Sequence, residues 1–123
     1  MAGGAEIWLD GGHNPAAGEA IAAVLAEGVK RPTHLICGML NTKDIAGYLA
    51  PLAKIAESLT ALSIPGEANT IPAAETAAIA RKVGLPATTA DSVQEAIRDI
   101  TATAPNARIL ICGSLYLAGH VLR

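Results

Sequence analysis

Glu6-Ile7-Trp8-Leu9-Asp10-Gly11-Gly12-His13-Asn14-Pro15 decides the fold, because it passes from strand chemistry to helix chemistry through a single turn. Glu6 to Leu9 is a short β-type run, and Asp10-Gly11-Gly12 stops it with residues that favour tight turns. Asn14 is a good N-cap, and Pro15 is the residue best tolerated at the first helical position. Ala17, Ile21, Val24 and Leu25 then recur on one face, which predicts a helix ending near Gly28.

The rest of the chain repeats this strand-then-helix unit. His34-Leu35-Ile36-Cys37-Gly38-Met39, bounded by Pro32 and Asn41-Thr42, predicts a strand covered on both faces. Ile45, Tyr48, Leu49 and Leu52 share a helical stripe that Pro51 is expected to kink or split. Ser58 to Ile64 reads as a third strand, stopped by Pro65-Gly66. Ala73 to Val83 is an Ala-rich helix with Gly84 placed as a C-cap, and Ala87 to Ala90 is a weak strand. Ser92 and Glu95 form a capping-box pair ahead of Val93, Ala96, Ile97 and Ile100. Arg108 to Gly113 is the last strand, and a helix is expected from Ser114 to the end. Parallel neighbours need crossovers, and crossovers are usually helical. The pattern therefore predicts an α/β, Rossmann-like fold: a mainly parallel five-stranded sheet with helices on both faces.

Composition narrows the function. The 123 residues fit one domain, 1–123, with one core. Half the chain is hydrophobic (51%), yet it has no Phe, one Trp and two Tyr, so the core must be Ala, Leu, Ile and Val. A net charge of −2 without any Lys/Arg run removes the footprint of nucleic-acid binding. No apolar stretch approaches the roughly 20 residues of a membrane span, and no basic region follows Met1 as in a signal peptide. A cytoplasmic protein without a membrane partner is expected. Cys37 and Cys112 sit in apolar runs and read as buried, reduced core residues; no metal site is expected from them.

In a parallel sheet, ligands bind outside the carboxyl ends of the strands, so the turn at residues 10–15 draws attention. Gly11 and Gly12 let the backbone approach a ligand closely, and the helix start behind them favours an anion such as phosphate. Asp10 can accept from a ribose hydroxyl or a metal-bound water, and His13 can donate to a phosphoryl oxygen. On pattern alone a second reading stands beside this one. Asp10 and Asn14 would cap the turn, and His13 would be a surface residue.

Asp10-Gly11-Gly12-His13-Asn14-Pro15 resembles the Asp-Gly-Ala-His-Asn-Pro motif of the folylpolyglutamate synthase / dihydrofolate synthase branch of the Mur ligase family. Gly38-Met39-Leu40 with Lys43-Asp44 is similar to that family's second βα turn, and Ile111-Cys112-Gly113-Ser114-Leu115-Tyr116-Leu117-Ala118-Gly119 to its closing strand and helix. The resemblance implies the family's C-terminal domain, part of an ATP-dependent ligase that phosphorylates a pteroate or folate carboxylate and joins it to glutamate. It implies ATP and Mg²⁺ bound mainly by an N-terminal P-loop domain; this chain contains no Gly-x-x-x-x-Gly-Lys-Ser/Thr and is expected to be inactive alone. By the same correspondence Asp10 and His13 would act in catalysis, Asp10 on the ATP side of the cleft and His13 near the transferring phosphate. Gly11, Gly12 and Asn14 would complete the nucleotide turn, and Ser114 or Tyr116 would lie near the glutamate substrate.

Gly12 replaces the family's usual Ala, and Pro65-Gly66-Glu67-Ala68-Asn69 lacks an arginine that many members carry there. The family's preceding arginine-bearing strand would lie before Met1, leaving five of its six strands. Lys43 beside Asp44 reads as a solvated pair, Ser114 first as an N-cap, and His34 and His120 as non-catalytic. Two other functions compete: a free-standing nucleotide- or phosphate-binding module, and a non-catalytic interaction domain.

Overall fold

The computed structural model describes residues 6–10, 15–27, 31–39, 44–64 and 70–113. Along them strands and helices alternate as β1 (Glu6–Asp10), α1 (Pro15–Glu27), β2 (Thr33–Cys37), α2 (Ile45–Ala53), β3 (Ser58–Ala61), α3 (Ala73–Lys82), β4 (Ala87–Thr89), α4 (Val93–Thr103) and β5 (Arg108–Cys112). The strands form one five-stranded sheet in the order β1-β5-β2-β3-β4, and every pairing is parallel. The α/β fold expected from the sequence is the one observed.

Crossover handedness explains which helix covers which face. From β1 to β2, β2 to β3 and β3 to β4 the chain crosses the sheet in one direction, and α1, α2 and α3 share one face. The step from β4 back to β5 runs the other way, so α4 lies on the opposite face. Side chains alternate accordingly. Leu35, Leu59 and Leu110 pack against Leu49, Leu52, Ala77 and Ala80, while Ile36, Ile109 and Ile111 pack against Val93, Ala96 and Ile100. All five residues of β5 are buried, which is why Ile109 to Cys112, after Arg108, read as an unbroken apolar run.

Several boundaries differ from the sequence reading. Thr33–Cys37 and Ser58–Ala61 are shorter at their carboxyl ends than expected, although Met39, Leu62 and Ile64 remain buried beyond them. The α2 helix is not split: Pro51 is its seventh residue of nine, so the missing N–H affects only the last turn. Val24 is 48% exposed rather than part of the buried stripe. Gly18 and Leu25 define that stripe, and Val24 lies about 100° round the helix from Leu25. Of the helix signals, Gly84 does take a left-handed conformation (φ 98°) after α3, and the Ser92 hydroxyl accepts from the Glu95 N–H at 3.1 Å. The helix expected from Ser114 lies outside the described residues.

One buried cation ties β1 to its neighbours at the amino end of the sheet. Arg108, 3% exposed, donates from Nε to Glu6 Oε1 at 3.1 Å and from a guanidinium nitrogen to the Leu25 carbonyl at 3.3 Å. Its guanidinium also lies over the Trp8 ring, 5.1 Å from the centroid. The indole of Trp8 donates to the same Glu6 oxygen at 2.7 Å. The Trp8 bond first, and the Arg108 bond second, hold the Glu6 carboxyl below its ordinary value.

Candidate functional site

Register brings three side chains into a row along the carboxyl edge of the sheet. Asp10 ends β1 opposite Cys112, which ends β5, and Cys112 stands opposite Cys37 at the end of β2. Register partners in parallel strands point to the same face, and here it is the face that carries α1 to α3. Tyr48, from α2, covers this row. Its hydroxyl donates to Asp10 Oδ2 at 2.7 Å, joining residues far apart in sequence.

Local chemistry holds Tyr48 in place. Asp44 caps α2, accepting from the Gly47 N–H through Oδ1 at 2.8 Å, and its carbonyl accepts from the Tyr48 N–H at 3.2 Å. On the other side, α1 presents Gly18 to the Tyr48 backbone, so the two helices approach closely. The ring is fully buried while Asp10 is half-buried. Burial, followed by the neighbouring Cys112 and Asp10, pushes the Tyr48 hydroxyl well above its ordinary pKa, so it is a hydrogen-bond donor and not a base.

The two cysteines floor the site without reactive character. Both are reduced and buried, and the hydrogen bond to Cys112 together with burial raises the Cys37 thiol well above its usual value. A protonated thiol in apolar surroundings is no nucleophile. After Cys112 the chain turns at Gly113, whose φ of 103° suits glycine; a side chain there would also collide with the Gly38 carbonyl.

Of the residues singled out in the sequence, Asp10 therefore lies at the carboxyl end of β1, and α1 begins at Pro15. Gly11, Gly12, His13 and Asn14 lie outside the described residues, as do Ser114, Tyr116, Lys43 and His120. His34 stands near the other end of the sheet, with Nδ1 2.6 Å from the Ser58 hydroxyl. Among the described residues no group of three His, Cys, Asp or Glu side chains could hold a metal ion. A cavity of about 630 Å³ lies at the amino end, lined by Arg31, Thr33, Lys54 and Arg108, and contains none of the singled-out residues. Among the described residues no helix is long and apolar enough to cross a membrane.

Two features of the site escaped the sequence reading. The sequence puts Tyr48 only on an apolar stripe, and Asp44 in a surface pair and a βα turn without a capping role. A signal for Tyr48 was available: a phenol on an otherwise aliphatic face must find a partner for its hydroxyl when buried. Its partner was not readable, because it comes from another element.

The family model for the Mur ligase, glutamate ligase domain, matches residues 1–115. A folylpolyglutamate synthase from Lacticaseibacillus casei is 30% identical over 115 residues, covering 94% of this chain and 26% of that protein. Among solved structures, E. coli FolC in complex with DHPP and ADP superposes with a TM-score of 0.81 at 27% identity, over 94% of this chain and 27% of that one. The Mycobacterium tuberculosis folylpolyglutamate synthase complexed with ADP and AMPPCP gives 0.83 at 26% identity, over 94% and 28%. A bifunctional folylpolyglutamate synthase/dihydrofolate synthase from Yersinia pestis with AMPPNP and Mn ion gives 0.78 at 26% identity. The chain thus spans about a quarter of the length of the relatives it matches.

Proposed function

The chain belongs to the Mur ligase family as a glutamate ligase domain, and from that premise we propose that it completes the active site of a cytoplasmic folate ligase. In this reading the domain, residues 1–123, acts with an N-terminal P-loop domain of the same protein. Together they add L-glutamate to a dihydropteroate or folate. ATP phosphorylates the substrate carboxylate, and the glutamate amine attacks the resulting acyl phosphate to form the amide. Both steps depend on positioning and on neutralising phosphate charge.

The observation that carries this reading is the position of Asp10, at the carboxyl edge of an all-parallel sheet beside the start of α1. Ligands of such sheets bind at that edge. Among the described residues no group of three ligands stands with Asp10 to hold a metal by itself. A single carboxylate there fits a hydrogen bond to a metal-bound water or a ribose hydroxyl, with the metal itself held by the P-loop domain. The turn of Gly11, Gly12, His13 and Asn14 would cradle the nucleotide from this side, and Ser114 or Tyr116 would meet glutamate. Support for nucleotide and divalent metal comes from the relatives, whose structures hold ADP, AMPPCP, or AMPPNP with Mn.

Calorimetry tests the division of labour. Titrated with Mg²⁺ and ATP, this chain alone is expected to show no micromolar binding and no glutamate-dependent ADP release, whereas the chain joined to a P-loop domain of the family releases ADP only when glutamate and a reduced folate are both present. Micromolar ATP affinity of the isolated chain would instead favour a free-standing nucleotide-binding module.

A further inference from the structure

Asp10 closes an edge strand, and its short side chain has three staggered χ1 wells to choose from. A hydrogen bond from Tyr48 favours one of them, alongside the further contacts that Asp10 makes. The donor is set by the core and not by solvent. Its ring is fully buried, its backbone is clamped between Gly18 and the Asp44 cap, and an aromatic side chain on a fixed backbone has little freedom left. Beneath it the thiols of Cys37 and Cys112 are weak acceptors, so among the described residues the Asp10 carboxylate is the stronger partner for the hydroxyl. Such a bond to a carboxylate is of the stronger, charge-assisted kind.

We infer that Tyr48 is a positioning residue: its buried hydroxyl fixes the rotamer of Asp10 and so sets where that carboxylate meets the nucleotide, an inference that rests on the site reading above. The arrangement divides labour within one side chain. The ring fills the space between α2 and the sheet, which Phe would fill equally well, and the hydroxyl alone reaches the site.

Tyr48→Phe therefore isolates the hydroxyl, and two readouts test it. The first needs no reaction: scalar couplings across χ1 of Asp10, measured in this chain, should report one dominant rotamer in the native protein and a changed rotamer distribution in Tyr48→Phe, with the amide spectrum otherwise folded. The second uses the ligase carrying this domain. Tyr48→Phe is expected to lower kcat about 10- to 100-fold, the range for one hydrogen bond to a charged group, with KM for ATP little changed. In an Asp10→Ala background the same substitution should have no further effect on kcat. An unaltered Asp10 rotamer in Tyr48→Phe, an unchanged kcat, or a kcat loss that persists without the Asp10 carboxylate would overturn the inference. Wild-type turnover in Asp10→Ala would overturn the site reading instead, and the couplings tell that failure apart because they are read without catalysis.

Discussion

Gly18→Ala should lower the unfolding midpoint of the chain by roughly 10 °C, a loss of about 2–3 kcal/mol. Two effects oppose each other. Alanine is the better helix former by about 1 kcal/mol, which on its own would stabilise α1. Against this, a methyl group on Gly18 would lie closer than 3.0 Å to the Tyr48 carbonyl oxygen. That neighbour is backbone and cannot rotate away, and α2 is tethered by the Asp44 cap at its start. Relief would need the two helices to separate, opening the packing around Tyr48 and Leu49. The clash should therefore win. Thermal or denaturant unfolding of the two proteins decides it, and a raised midpoint would show that α1 and α2 do not approach at Gly18.

Asp10→Asn and His13→Ala should each lower turnover of the ligase carrying this domain by about 100-fold or more, the scale of losing one group that acts on a transferring phosphate. Asn is the sharper choice at position 10. It keeps an oxygen that can accept from Tyr48 while removing the charge. Asp10→Ala leaves the buried Tyr48 hydroxyl without its acceptor and should in addition weaken the fold by about 1–3 kcal/mol. Steady-state kinetics on the three variants, with unfolding measured in parallel, separates catalytic from structural loss. Native turnover in both Asp10→Asn and His13→Ala would contradict the site.

What was legible in the sequence followed physical locality. Strands β2 and β5 were readable because both faces are buried along Leu35–Cys37 and Ile109–Cys112, which run without a polar residue; β4, at an edge and largely exposed, gave only a weak signal. The cap of Ser92 on Glu95 was readable, whereas that of Asp44 on Gly47, equally local, was hidden because Asp44 reads as paired with Lys43. Strand ends were less so. Leu62 continues the bonding of β3, its N–H donating to the Cys37 carbonyl at 3.0 Å, so the apolar run outlasts the regular strand. The place of Asp10 at the end of β1 was legible because the glycines that follow it in the sequence mark a strand end. Tyr48 reaches that aspartate only through the packing of α2 on the sheet, and Arg108 reaches Glu6 and Trp8 only through strand pairing and Leu25 only through the packing of α1. Periodicity finds which face a residue occupies, not which partner waits there.

In the proposed ligase the carboxyl edge of this sheet faces a bound nucleotide. The most direct test is a structure of the ligase carrying this domain, with Mg²⁺ and a non-hydrolysable ATP analogue. The measured quantity is the separation between the Asp10 carboxylate and the nearest nucleotide or metal-bound water oxygen. A direct or single-water hydrogen bond, within about 5 Å, is the predicted result. A nucleotide seated instead against Thr33 and Arg108 at the amino end of the sheet would contradict it.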